Sequence, residues 1–573
     1  MIKQQLTLQH FRERLSHFDA LPQLVILGLA SGVITGLLMI LFRLAVELPL
    51  SAWLAHPENF EELTVLERLT WPLIGSAVLI AIYLTWPRIA RQVGMANLLQ
   101  RMAYHQGYIP FSSLVMQFVT ASVALISGHS VGREGPAVFL GAAGSSWLGQ
   151  QLKVPNNSIR LLIGCGTAAA ISAAFHTPLA GVIFAMEVIL LEYTLIGFTP
   201  VIVSAVAADL LMRTTLGYHD AFDVPPFTIN SLAELPWVML LGVTVGVCAA
   251  AFSHLMLQTV RLSQTPVWLR FSLAGLITGT VACFYPQIMG VGYDTIGETL
   301  AGSLELQLLV GLLFAKLIVT PIILGLGIPA GLIGPTLFIG ALIGSIFGQV
   351  GTHLADSNVS HIGLYAMLGM GAMMAAVLNA PLAALVALLE LTGNPNIIFP
   401  GMIAIVISNL TVRYFFNLPS IFLSSLQAQG LDYRQEPLAQ ALSRAAVGSL
   451  MERNFVSTPS SLQASTASQL LSEQPVWILV DENSDTPSFV MPPKELQDYL
   501  ARKEEKQTID LLEMPAERFD VTTISFRATL HEALQMMNER QVSLLCVQSN
   551  QGDILGMLTR SQIEYYYTHK QTS

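Results

Sequence analysis

The sequence predicts an all-α polytopic membrane body followed by a smaller α/β domain. Three observations carry that prediction. The 573 residues include only 12% charged ones, about half the usual share of roughly 25% in a soluble domain. Those charges are uneven: residues 441–573 hold 28 in 133 positions, whereas the first 440 hold 38. Apolar runs recur along the first 430 residues and thin out beyond them. The chain also exceeds the ~250–300 residues that one soluble core supports. The two parts carry net charges of −4 and −6, so neither has the basic excess of a nucleic-acid binder.

Residues 1–23 are polar and of mixed charge. Lys3, Arg12 and Arg14 precede the first apolar run, which predicts a cytoplasmic N-terminus. That run, from Leu24 to about Phe42, is too long for a signal-peptide core and lacks a small-residue cleavage site, so it reads as a first membrane helix. Further apolar segments cover 69–87, 109–127, 136–150, 159–176, 178–192, 197–213, 233–260, 269–288, 306–327, 335–350, 361–378, 381–391 and 395–416. Several are too short to cross about 30 Å of hydrocarbon at 1.5 Å per residue. Gly and Pro break them at Gly132–Pro136, Thr177-Pro178, Gly327–Pro329 and Gly334-Pro335. Broken helices are tolerated in a membrane only where the freed backbone is buried or faces a wet cavity, and they point to a solute site.

The breaks repeat. Residues 166–187 match 369–390 at an offset of 203, with Gly166/Gly369, Pro178/Pro381, Leu179/Leu382, Ala180/Ala383 and Glu187/Glu390 identical. Upstream, Gly135–Gly141 matches Gly334–Gly340 at an offset of 199. Two related halves imply a site where they meet.

Gly132-Arg133-Glu134-Gly135-Pro136 reads as a helix N-terminus deep in the protein. Pro fits a first turn, and the glycines let backbone approach a ligand. Unpaired N–H groups there form an anion site without a formal positive charge. Gly331-Leu332-Ile333-Gly334-Pro335 repeats the pattern. Glu134 competes with an anion at such a place. It reads either as a gate that swings out or takes a proton, or as a carboxylate that caps a helix. Arg133 reads as a structural partner of an acid or of carbonyls. Lys316, between long apolar runs, is expected to snorkel or to form a salt bridge. Tyr365 reads as a core residue. Cys165, Cys248, Cys283 and Cys546 form no CxxC pair and read as inert buried thiols.

The tail reads as two parts, 446–500 and 519–567, each mixing short β-like runs with a helix; residues 501–515 form a charged linker or helix. In the second part Thr529–Arg540 has helical spacing, with Leu530, Ala533, Leu534 and Met537 on one face. Ser543–Gln548 and Ile554–Leu558 flank a turn at Asn550–Asp553. No P-loop, metal cluster or catalytic triad stands out, so the chain is not read as an enzyme.

The GREGP stretch, the second Gly-x-x-x-Pro stretch, the paired repeats and the two-part tail together resemble the CLC family of chloride channels and chloride/proton antiporters. The resemblance covers the body, with the tail resembling a degenerate pair of CBS modules. It implies two inverted repeats of short broken helices and a homodimer with one pathway for chloride or another small anion in each subunit. The corresponding boundaries are a cytoplasmic segment at 1–23, the transport body at 24–430, a linker at 431–445 and the CBS pair at 446–570. It further implies a multi-pass protein in contact with membrane lipid, in a bacterial inner membrane, with both termini cytoplasmic.

By motif, Glu134 takes the place of the family's gating glutamate, flanked by Gly132, Arg133 and Gly135. Leu332 and Ile333 offer backbone N–H groups to an anion. Other positions depart from the pattern. Gln92–Ala96 stands where the family has Gly-Ser-Gly-Ile-Pro, so Val93, with Gly94 and Met95, replaces a hydroxyl ligand. Phe422 replaces a Tyr. Each lost neutral donor weakens anion binding by about 1 kcal/mol. Glu187 and Glu390 match structural carboxylates. The internal proton-transfer acid of the antiporters aligns with Val188, which cannot pass a proton, so passive conduction with voltage or pH gating leads. Chloride/proton exchange remains an alternative, with Glu192 or His176 as substitute groups, and a membrane sensor or scaffold acting through the tail is an alternative of another class. In the tail, Gln562 follows Thr559 where nucleotide-binding CBS modules often have Asp, so no nucleotide or other cofactor is expected.

Overall fold

In a computed structural model the described residues are Leu15, 20–56, 58–193, 195–217, 231–354, 360–431, 437–483, 486–501, 508–549 and 551–570. The body runs through α1 (Leu21–Ser51), α2 (Val65–Thr85), α3 (Met95–Tyr104), α4 (Phe111–Ile126), α5 (Glu134–Gln151), α6 (Asn156–Phe175) and α7 (Pro178–Phe184), which passes into a π turn at Ala185–Leu190. It continues with α8 (Leu195–Leu216), α9 (Leu235–Val260), α10 (Val267–Ala282), α11 (Tyr293–Ala301), α12 (Leu306–Gly325) and α13 (Ile333–Leu354). It closes with α14 (Ile362–Leu378), α15 (Pro381–Thr392), α16 (Ile398–Leu410) and α17 (Ile421–Ala428). Among the described residues, 8 helices are long and apolar enough to cross a membrane. The apolar segments read from the sequence do not include α3, α11 or α17, which have 10, 9 and 8 residues. All three are too short to span a bilayer.

The two breaks at the ends of α6 and α14 have one cause. His176 and Asn379 both take a left-handed conformation, with φ of 57°. Each is followed by one residue and then a Pro that opens the next helix. A left-handed residue ends a helix, and Pro, lacking an N–H, starts the next at no cost in hydrogen bonding.

The same equivalence governs packing. A Cβ added to Gly141 would lie 2.3 Å from the carbonyl oxygen of Gly166, and one added to Gly369 would lie 2.1 Å from that of Gly340. Glycine therefore lets α5 cross α6, and α13 cross α14, at backbone contact. The resulting core is built of small residues: α14 is buried along its whole length from Gly363 to Leu378.

The chain divides into two units, one of residues 24–152 and 159–433, the other of 1–23, 153–158 and 434–573. The second unit reaches back past residue 446. Helix α18 (Pro437–Ser443), within the stretch read as a linker, places Leu442 in a tail core with Ile524, Leu530, Met537 and Leu558.

The tail contains β1 (Phe455–Pro459), β2 (Ser461–Gln463), α19 (Ala464–Ser472), β3 (Trp477–Asn483), β4 (Thr486–Met491), α20 (Pro493–Ala501), β5 (Thr508–Asp510) and β6 (Phe519–Asp520). Then come β7 (Thr523–Ser525), α21 (Leu530–Arg540), β8 (Leu544–Gln548), β9 (Ile554–Thr559) and α22 (Arg560–Lys570). One sheet has the order β1-β3-β4-β6, another β7-β8-β9, and β2 pairs with β5. In both larger sheets a parallel pair, β1 with β3 and β7 with β8, precedes an antiparallel one, β3 with β4 and β8 with β9. The stretch 501–515 thus includes a strand, with residues 502–507 outside the described set, as is Asn550 of the expected turn. Thr529 opens α21 with a capping box to Glu532, and Leu530, Ala533 and Met537 are buried on its inner face, with Leu534 packed at the edge.

Candidate functional site

The two Gly-rich breaks meet. Gly132 N–H donates to the Gly331 carbonyl at 2.7 Å, and Gly331 N–H donates to that of Gly132 at 2.8 Å. This reciprocal bridge joins equivalent positions of the two halves, as a local two-fold axis requires. Glycine is needed because a Cβ on Gly135 would stand 2.7 Å from the Gly331 Cα.

The equivalence is broken at two positions, where Arg133 and Glu134 of the first half correspond to Leu332 and Ile333 of the second. Glu134 is fully buried, and among the described residues its carboxylate bonds to Gly334 and Tyr293, not to its own helix start. Its Oε2 accepts from the N–H of Gly334 at 2.9 Å. The carboxylate of one half therefore sits on the N-terminus of α13 in the other, where N–H groups have no helical partner and the dipole is positive. Of the loop Gly331–Pro335, Gly334 provides that N–H, while the side chains of Leu332 and Ile333 are buried.

The other oxygen is held too. The Tyr293 hydroxyl donates to Glu134 Oε1. Arg133 lies with its guanidinium carbon 4.8 Å from the Tyr293 ring centre. It is 3.7 Å from Glu47 and from Glu58, and 4.0 Å from Glu134. Glu47 is also bonded to Arg43 at 2.7 Å. Glu58 accepts the Tyr293 N–H at 3.0 Å. Burial pushes the Glu58 carboxyl above the usual range, and the Arg133 charge pulls against that. Tyr293 and Glu58 escaped the sequence reading because one opens a short helix and the other lies in the α1–α2 connection, neither near a repeated motif.

Lys316 neither snorkels nor forms a salt bridge among the described residues. It is fully buried and donates to the carbonyls of Ile288 at 2.9 Å and Gly290 at 3.1 Å. Its ammonium lies 4.7 Å from the Phe338 ring centre. Those carbonyls precede α11, so a buried cation holds the backbone that leads into Tyr293.

Val93, Gly94 and Met95 form the entry to α3, with Gly94 at a φ of +85°. The Asn97 side chain donates to the Val93 carbonyl at 2.5 Å. Phe422 is buried in the first turn of α17, which packs on α3 and α14. No bond joins this second cluster to Glu134 among the described residues.

Glu187 and Val188 lie in the π turn after α7, with Val188 buried. Glu187 accepts from the N–H groups of Leu382 at 3.2 Å and Ala383 at 2.8 Å. Glu390 accepts from those of Leu179 at 3.0 Å and Ala180 at 2.7 Å. His176 Nδ1 is 2.8 Å from Asp209, which is also bonded to Arg213 at 2.7 Å. Tyr365 is buried as expected, and its hydroxyl donates to Glu234 at 2.5 Å. In the tail, the Gln562 side chain accepts from the Thr559 N–H at 2.8 Å and so caps α22.

A family model described as "Voltage gated chloride channel" matches residues 74–413, and a CBS domain model matches residues 516–568. The voltage-gated ClC-type chloride channel ClcB of Escherichia coli O81 (strain ED1a) is 30% identical over 354 residues, covering 60% of this chain and 84% of that protein. Two solved structures share the fold. A slow cyanobacterial Cl−/H+ antiporter superposes with a TM-score of 0.64 at 21% identity, over 71% of this chain and 97% of its own. A eukaryotic CLC transporter does so with a TM-score of 0.57 at 17% identity, over 94% of this chain and 97% of its own.

Proposed function

The chain belongs to the voltage-gated chloride channel family, and from that premise we propose that it conducts chloride passively across the membrane with Glu134 as its gate. It is an integral multi-pass membrane protein of that family. The observation that carries the proposal is the Glu134 carboxylate seated on the Gly334 N–H. A helix N-terminus binds chloride by the same N–H groups and dipole. The carboxylate and the anion therefore compete for one place, and conduction requires the side chain to swing away or take a proton. Gly132, Arg133, Gly135, Leu332 and Ile333 line this place, and Val93, Gly94, Met95 and Phe422 line a second anion position. Both positions rely on backbone amides.

Three observations support passive transport over exchange. Val188 is apolar at the position where most, though not all, proton-coupled members carry an acid. The Glu187 carboxylate is engaged with two N–H groups. His176, a substitute proton carrier, is engaged with Asp209. A scaffold acting through its tail gives no reason for helix N-termini buried inside the membrane body. The protein works as a homodimer in a bacterial inner membrane with both termini cytoplasmic, and its CBS tail acts through contacts without a nucleotide.

The test is chloride flux through protein reconstituted in liposomes, with a pH gradient imposed. Passive conduction gives a reversal potential set by chloride alone. A reversal potential that moves with the pH gradient in fixed stoichiometry replaces this reading with chloride/proton exchange.

A further inference from the structure

We propose that Tyr293 is a positioning residue that latches the Glu134 gate shut, an inference that rests on Glu134 being the gate. Four contacts to described residues hold Tyr293 in place. Its hydroxyl donates to Glu134 Oε1. Its N–H is bonded to Glu58 at 3.0 Å. Its ring lies under the Arg133 guanidinium at 4.8 Å, and the Phe175 ring centre stands 6.3 Å away. The helix it opens packs on α13, the helix whose N-terminus the carboxylate occupies. Tyr293 and Gly334 thus grip the two oxygens of one carboxylate from two elements that pack on each other.

Arg133 stands 4.0 Å from the same Oε1, too far for a hydrogen bond, so without the hydroxyl a buried carboxylate oxygen lacks a donor, which is costly. The hydroxyl removes that cost only in the closed position. It therefore weights the closed state, whereas a residue that merely fills space weights neither. The ring and the N–H carry the contacts to Arg133 and Glu58, so the hydroxyl can be removed without disturbing them. A hydrogen bond to a charged group sets a closed-to-open ratio by roughly ten- to hundredfold.

The experiment measures chloride efflux from proteoliposomes against chloride concentration for four proteins: wild type, Tyr293→Phe, Glu134→Ala and the double variant. The latch predicts that Tyr293→Phe raises efflux at low chloride by roughly tenfold or more and lowers the chloride needed for half-maximal flux. It also predicts that Tyr293→Phe adds nothing to Glu134→Ala. If Tyr293→Phe behaves as wild type while Glu134→Ala is faster, the latch is overturned and the gate stands. An equal gain in the Glu134→Ala background also overturns the latch, because the hydroxyl then acts on the pathway and not on the carboxylate. If none of the four moves chloride, the gate reading itself falls, and the latch with it. Tyr293→Met, which also lacks a hydroxyl, takes the place of the Phe variant if that variant does not fold.

Discussion

Glu187 and Glu390 exchange caps across the two halves: each carboxylate accepts the first free N–H groups of the helix that the other half's Pro opens. Pro178 and Pro381 start those helices, so the N–H groups at the next two positions have no helical partner. Glu187→Ala and Glu390→Ala should each lower stability by about 1–2 kcal/mol, the usual size of a lost N-cap. The two sites share no hydrogen-bond partner, so the double variant should show close to the sum. Thermal unfolding of the detergent-solubilised protein measures both; a loss from only one of the two breaks the equivalence.

Under the proposed gate, removing the Glu134 side chain leaves the α13 N-terminus open to an anion at all times. Glu134→Ala should raise chloride efflux by roughly tenfold at low chloride, the effect of deleting a charged competitor's hydrogen bonds. It should also lower the chloride concentration needed for half-maximal flux, since nothing then competes with the anion for the Gly334 N–H. Efflux recorded against chloride concentration checks both, and a variant with the wild-type profile removes Glu134 from the gate.

The crossing of α13 and α14 leaves no room for a methyl group at Gly369, 2.1 Å from the Gly340 oxygen. Gly369→Ala should cost about 1–3 kcal/mol, as overpacking does, and reduce the yield of folded protein. Gly297, in α11, is the control because nothing lies within 4 Å of an added Cβ. There Ala should be neutral or add up to about 1 kcal/mol through helix propensity. Unfolding midpoints of the two variants make the comparison.

In the tail, the Thr529 hydroxyl accepts from the Glu532 N–H at 3.3 Å and Glu532 returns a bond to the Thr529 N–H at 2.7 Å. Thr529→Ala should destabilise α21 by about 1 kcal/mol. Amide hydrogen exchange in the full chain should quicken across residues 530–540 and stay unchanged in α14.

Cys546 is fully buried in a cluster with Leu479, Val490, Leu544 and Met557, and burial pushes its thiol up to about 12. At pH 8 it is therefore protonated, and the thiolate is the reactive form. A maleimide should leave the Cys546 peptide unmodified in the native protein and modify it after denaturation, as read by mass spectrometry.

How much was legible differs by residue. Pro178 and Pro381, with Glu187 and Glu390, were visible as an internal match because repeated breaks need the same few residues in register. α21 was visible because its apolar spacing and its Thr-x-x-Glu start are both local. Helices α3, α11 and α17 were not, since a short helix carries too few turns to show a period. Tyr293, Glu58 and Lys316 were invisible as a group: they lie far apart in sequence and meet only through the packing of α11 and α12 around α13.

The sequence by itself determined the membrane body, its division into two related halves, the places where helices break and the presence of one carboxylate at the first break. Composition and periodicity encode those features, and both act over short stretches of chain. Only the tertiary structure decided that the Glu134 carboxylate rests on the opposite half's helix, that Tyr293 holds its second oxygen and that Lys316 serves carbonyls in place of an acid. The physical reason is that a buried charge takes whichever partner packing brings within about 3 Å, and no local pattern records which partner that will be.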